Sequence, residues 1–197
     1  MWFKLAFVFA FIAAASVATS TARRAAKEHG APLNQLTHEV RALIAIRAAL
    51  GLVFYAALGA WLFWSQAAAW TYFPIPTSVR WMAVALLVPT LLFFSWSYRS
   101  LGSNYRGGVG LHDRHELVTS GAYRWMRHPI YAGFIAIMIL VTLLSANWVL
   151  GAAGLLLVVS IAAVRIPIEE RQLRDRFGTA WEEYCTRAGY FLPRVMK

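Results

Sequence analysis

One cysteine, Cys185, stands in 197 residues, which excludes an intramolecular disulfide and any cysteine-based metal cluster. In its polar surroundings the thiol reads as a bystander. Charge is scarce as well. Asp, Glu, Lys and Arg supply 14% of the chain against roughly 25% in soluble domains, while apolar residues reach 59%. Acidic residues are rarest, 9 against 19 lysines and arginines, and the stretch from Ser65 to Val79 carries no charge at all. These shortages exclude an ordinary soluble domain. The lipid bilayer is the solvent that such a composition suits.

What is present is a series of apolar stretches: Met1 to Ser20, Ala42 to Trp64, Arg80 to Tyr98, Ile130 to Leu144 and Trp148 to Val164. Most approach the roughly 17–25 residues that a helix needs to cross the hydrocarbon core, so each is read as a helix. The last two meet at Ser145-Ala146-Asn147, whose small polar residues predict a tight turn and a helical hairpin. Pro89 predicts a kink in the third helix. Trp61, Trp64, Trp70, Tyr72, Trp81 and Trp148 fall near predicted outer helix ends, where amphipathic rings anchor at the headgroups.

The first stretch can be a cleaved signal or a retained helix. Only Lys4 precedes its apolar run while Arg23, Arg24 and Lys27 follow it, which predicts retention with the amino end outside. Alternation then places residues 21–41, 99–129 and 165–197 in the cytoplasm, and these hold 4, 5 and 7 of the 19 basic residues. Arg47 lies near an inner helix end and can snorkel; only Lys4 and Arg80 fall outside. Topology therefore accounts for the net charge of +10, and nucleic acid is not an expected partner.

The chemistry concentrates in two places. Residues 99–133 form a loop and its re-entry into the bilayer, too long for a simple connector and rich in His, Arg and aromatics, which favours a binding loop over a disordered one. Pro129 suits the first position of a helix. It either merely starts that helix or marks a helix end at Ile130 and Tyr131 where free N–H groups receive an anion. His112, His115 and His128 do not have the spacing of a closed metal site, so no metal is expected. Gly107, Gly108 and Gly110 make no nucleotide fingerprint, because no strand precedes them. The second place is Arg165 to Glu170. Arg165 and Glu169 share a helix face if the helix continues, and Arg165 can equally be an interfacial residue that snorkels. From Glu169 to Arg187, Leu173, Phe177, Trp181 and Tyr184 recur at helical spacing, as in an amphipathic helix lying on a membrane surface.

The string from His115 to Gly133, with Arg127-His128-Pro129 and Tyr131 within it, is followed by Glu169-Glu170, Phe177-Gly178, Tyr184 and Phe191-Leu192-Pro193. Together these resemble the isoprenylcysteine carboxyl methyltransferase family over residues 99–195. The resemblance implies an S-adenosylmethionine-dependent methyltransferase, S-adenosylhomocysteine as its product, and a lipophilic acceptor entering from the bilayer. Carried over, cofactor contacts fall on His115, Glu116, Leu117, Val118, Tyr123, His128, Pro129, Ile130, Tyr131 and Glu169. Arg165 takes the place of a substrate-facing, catalytic arginine. Ala122 departs from the proline common in the family, and Gly108 stands where a polar side chain can occur, so any contact there must come from backbone.

The fold expected is an all-α, polytopic membrane bundle of about five spanning helices plus a cytoplasmic amphipathic carboxy-terminal helix. It forms one integral-membrane domain over residues 1–197. Residues 1–98 supply three helices, and residues 99–197 the cofactor loop, the hairpin and the catalytic segment. The implied reaction is carboxyl O-methylation of an isoprenylcysteine-like or other lipophilic substrate. Alternatives are S- or N-methylation of a small thiol or phospholipid amine, an NADPH-dependent membrane reductase, and a non-catalytic interaction protein. The topology is testable alone: a reporter fused after Lys197 should be cytoplasmic and one inserted at Gln66 external, and exchanged signals would overturn the orientation.

Overall fold

The structure, a computed structural model, describes residues 1–29, 41–66, 68–105 and 115–194. Apolar runs interrupted by short polar segments fold as helices: α1 (Trp2–His29), α2 (Arg41–Phe63), α3 (Thr77–Leu101), α4 (Pro129–Ser145), α5 (Trp148–Phe177) and α6 (Thr179–Arg187). No strand occurs among the described residues, only isolated bridges between single residue pairs. Four helices are long and apolar enough to cross a membrane, within Trp2–Arg24, Ile44–Phe63, Thr77–Leu101 and Trp148–Phe177. The apolar α4 has 17 residues, the lower end of the spanning range. The chain is an all-α, multi-pass membrane protein.

Three elements run further than their apolar stretches. α1 continues past Ser20, so Arg23, Arg24 and Lys27 lie on the same helix as the apolar run. α3 passes through Pro89 without interruption. α5 continues beyond Val164 through Pro167 to Phe177, which puts Arg165, Glu169 and Glu170 on a membrane helix rather than on a separate segment. The amphipathic helix expected from Glu169 to Arg187 is accordingly two pieces. They break at Gly178, whose φ of 51° lies in the left-handed region that favours glycine. The expected apolar face exists but packs inward: Trp181, Tyr184 and Ala188 are buried, with Leu117, Leu173, Phe177 and Cys185 against them.

Contacts gather the chain into two compact units, Met1–Ala13, Glu39–Leu91 and Phe134–Ile161 in the first, and Ala14–His38, Leu92–Gly133 and Ala162–Lys197 in the second. In the first, Phe7 meets Trp61 edge to face at 5.5 Å, and both are buried. Trp61 is thus a core residue and not the interfacial anchor that its position suggested. Trp64, Trp70, Trp81 and Trp148 are exposed, as anchors should be. The α4–α5 hairpin closes tightly because Gly154 has no side chain; a Cβ there would come within 2.6 Å of Met138 Sδ.

Each basic residue outside the predicted cytoplasmic segments is tied to a backbone carbonyl within this first unit. Lys4 Nζ donates to Leu62 O at 2.8 Å, Arg80 Nε to Leu144 O at 2.9 Å and Arg47 Nη2 to Ser160 O at 2.9 Å. Leu62 and Leu144 lie in the last turns of α2 and α4, where carbonyls lack helical partners and the dipole favours a cation.

The hairpin turn is pinned to the uncharged loop. Asn147, fully buried, accepts Leu150 N–H at 2.9 Å and so caps α5, and it donates Nδ2 to Thr71 Oγ1 at 2.7 Å. Phe73 N–H adds a bond to Ala146 O at 3.0 Å. Ala146 adopts a φ of 54°, a left-handed turn residue between the helices. Asn147→Ala removes the cap and leaves the Leu150 amide without its acceptor. It should destabilise the protein by about 1–3 kcal/mol, read as a lowered unfolding midpoint of the full chain in detergent.

Candidate functional site

The candidate residues gather in the second unit, in the segment after α3, the start of α4 and the far part of α5. Residues 115–119 have no regular structure, and Glu116 N–H is anchored on Asn104 Oδ1 at 2.9 Å, which ties the first four candidates His115, Glu116, Leu117 and Val118 to the turn Gly102–Asn104. The His115 ring lies 6.5 Å from Phe177, and Leu117 packs on the Trp181 cluster. His112, Gly107, Gly108 and Gly110 lie outside the described residues. Among those described, no group of three or more His, Cys, Asp or Glu could hold a metal ion.

A 3-10 turn, Gly121–Arg124, carries Tyr123 into the interior. Ala122 N–H donates to Ser100 Oγ at 3.2 Å, and the turn sits so close to Ser100 that a Cβ on Gly121 would collide with that side chain. Tyr184 of α6 donates its hydroxyl to Tyr123 O at 2.8 Å and approaches Met126 O at 3.4 Å. Burial pushes the phenols of both Tyr123 and Tyr184 above their ordinary range, so Tyr184 is held as a donor.

The next residues run beside the strap Gly189–Phe191. Met126 and Gly189 form a parallel bridge; Arg127 N–H donates to Gly189 O at 2.8 Å, His128 N–H to Tyr190 O at 3.2 Å, and Gly189 N–H to Trp125 O at 3.1 Å. The His128 ring lies 5.0 Å from Tyr190 and 6.2 Å from Phe191. The buried Pro129 then opens α4, and the first bond closing a helical turn is Ala132 N–H to His128 O at 3.1 Å. The amides of Ile130 and Tyr131 precede that bond, so they are first-turn donors at the positive helix end.

α5 brings its carboxylates to this turn. Glu170 Oε1 accepts His128 Nε2 at 2.9 Å and Arg127 Nη1 at 2.9 Å, while Glu169 Oε1 accepts Tyr131 Oη at 3.1 Å. Arg165, one helical turn before Glu169, interacts electrostatically with Glu169, Tyr131 and Tyr98. Tyr98 itself is buried on α3, with the ring of Tyr105 at 5.0 Å.

Sequence reasoning missed four participants. Cys185 is not a bystander: it is half-buried on α6 and its sulfur accepts Arg127 Nη1 at 3.3 Å. Tyr98 closes an apolar stretch, where an aromatic reads as core, and Tyr105 lies in the loop at a position that no motif marks. Tyr190 gave no periodic signal, although it stacks with the Arg127 guanidinium at 4.9 Å.

A multi-pass helical membrane protein whose polar centre joins a re-entry turn to two carboxylates some forty residues downstream is the class that this geometry defines. The model of the isoprenylcysteine carboxyl methyltransferase family matches residues 81–175 of this chain. It is 35% identical to a probable protein-S-isoprenylcysteine O-methyltransferase of Oryza sativa subsp. indica over 96 residues, 48% of this chain and 50% of the relative. It is 29% identical to methanethiol S-methyltransferase 1 of Bradyrhizobium diazoefficiens, over 63% of this chain and 48% of that one. The chain thus spans about half the length of these curated relatives. Its fold matches the structure of the eukaryotic intramembrane Ras methyltransferase ICMT with a TM-score of 0.54 at 21% identity, covering 80% of this chain and 54% of that one.

The bond from Tyr184 gives this geometry a direct test. Tyr184→Phe preserves the ring but leaves the Tyr123 carbonyl without its donor, so it should cost about 1–3 kcal/mol of stability. Amide exchange at Met126 to His128 should accelerate beside it; unchanged exchange there would mean that the turn is held by the strap alone.

Proposed function

We propose that this protein is an S-adenosylmethionine-dependent methyltransferase that esterifies the carboxylate of a lipophilic, isoprenylcysteine-like acceptor. The observation that carries the reading is the meeting of the Arg127–Tyr131 turn with Glu169 and Glu170, supported by the family-model match over residues 81–175 and by the name of the rice relative. In this reading residues 1–197 act as one integral-membrane domain, with the amino terminus outside and the loop and carboxy terminus cytoplasmic. The partners are the bilayer and a lipophilic small molecule or prenylated substrate, without metal or nucleic acid.

The residues present fit an amino-acid moiety of the cofactor. Glu169 offers a carboxylate to an ammonium, and the amides of Ile130 and Tyr131 offer donors to a carboxylate. His115, Glu116, Leu117 and Val118 would line the remainder, with Tyr123, His128 and Pro129 holding the turn. S-adenosylmethionine supplies, when bound, a methyl group on a sulfonium that a nucleophile attacks in line. This chain's own part is to orient and to exclude water, since an acceptor carboxylate needs no strong base. Arg165 would grip one acceptor carboxylate through two parallel hydrogen bonds and turn an oxygen toward the methyl.

A thiol acceptor is the second reading, favoured by the name of the Bradyrhizobium relative. The two differ in product: a methyl ester releases methanol in alkali, a thioether does not. Glu169→Gln should weaken S-adenosylmethionine binding by about 1.5–3 kcal/mol in a radioligand assay, the scale of a charged hydrogen bond. Arg165→Lys should keep that binding and lose most turnover, because ammonium cannot reproduce the planar fork. Near-normal turnover would return Arg165 to a snorkelling role, and an alkali-stable product would replace the carboxylate with a thiol or amine.

A further inference from the structure

We infer that Glu170 is a positioning residue for His128, holding its imidazole with the proton on Nε2 and Nδ1 as a hydrogen-bond acceptor for a donor group of the bound cofactor. This rests on the cofactor reading above and assigns a task to a carboxylate that it left unused.

The assignment follows from who can donate. Glu170 Oε1 receives Arg127 Nη1 and His128 Nε2, each at 2.9 Å. A guanidinium has only N–H donors and keeps its charge, so that oxygen is an acceptor and the adjacent cation favours the ionised carboxylate. Nε2 must therefore carry the hydrogen that it shares with Glu170. In the neutral ring this leaves the lone pair on Nδ1, because the bond made by one ring nitrogen sets the state of the other.

Ring rotation is resisted on both sides. Tyr190 lies at 5.0 Å, Phe191 at 6.2 Å and Tyr131 at 6.1 Å, and the backbone N–H of His128 is tied to Tyr190 O. None of the described residues hydrogen-bonds Nδ1. Arg127 is itself braced, by Cys185 Sγ at 3.3 Å and by the face of Tyr190, so the carboxylate cannot swing toward it and release the imidazole without breaking those contacts. Glu169 and Glu170 thus divide the work. The first faces Tyr131 and the predicted ammonium, and the second faces the turn that carries the ring.

The test is nitrogen NMR of the full chain in nanodiscs with 15N-labelled histidine, taken at alkaline pH and assigned by the signal missing in His128→Asn. Wild type should show Nε2 protonated and Nδ1 unprotonated. Glu170→Leu, similar in size but without an acceptor, should give mixed tautomers and weaken S-adenosylmethionine binding about tenfold. Glu170→Gln, which restores an acceptor oxygen, should recover the single tautomer; a purely structural role would not sort the ring by acceptor. An Nδ1–H wild type, or a single Nε2–H tautomer retained in Glu170→Leu, would overturn the inference. If Glu170→Leu does not fold, the wild-type and Gln spectra decide it. Wild type that shows the expected tautomer yet binds no S-adenosylmethionine would sink the cofactor reading and leave the tautomer assignment standing.

Discussion

One oxygen, Oε1 of Glu170, holds two consecutive residues of a turn that lies 42 positions earlier in the chain. Without it Arg127 would keep only the weak Cys185 sulfur as an acceptor and His128 Nε2 would have none, which is costly for part-buried polar groups. With it, Arg127 has a counter-charge, His128 has a direction, and Pro129 can start α4 at a fixed place. The strap Gly189–Phe191 bonds to the backbone of Trp125, Arg127 and His128. Side chains on one side and main chain on the other thus fix the turn twice.

Helices were legible because apolar length is a strong signal in a bilayer protein. Their ends were less so. Hydropathy stops at Val164, but the helix need not, since a chain leaving lipid satisfies its backbone most simply by continuing the same hydrogen bonds. That is why Arg165 and Glu169 share a face on α5. Gly178 was the readable stop, a glycine at a left-handed position, yet the spacing of Leu173, Phe177, Trp181 and Tyr184 ran straight across it.

Much of the candidate site was legible through the resemblance and little through local physics. Arg127-His128-Pro129 and Glu169-Glu170 are forty residues apart, and no periodicity says that they meet. The roles of Cys185, Tyr98 and Tyr190 depend on what faces them, which composition does not encode. Trp61 shows the same limit: a tryptophan at a helix end reads as an anchor until Phe7 is placed against it. Lys4 and Arg80, exceptions to the charge pattern, were visible as exceptions, but their carbonyl partners at Leu62 and Leu144 were not.

The tie between Tyr184 and Tyr123 crosses 61 residues, and that between Arg127 and Cys185 crosses 58. On a ribosome adding about 5–20 residues per second, the turn is therefore made roughly 3–12 seconds before the residues that complete it. Until α5 delivers Glu170, Arg127 and His128 have only water to satisfy them, so the turn must wait on the aqueous side while α4 inserts. The order of synthesis thus sets a kinetic demand: a stall between the hairpin and α6 would leave a membrane-inserted chain whose turn is held by Glu170 but lacks its Tyr184 and Cys185 contacts.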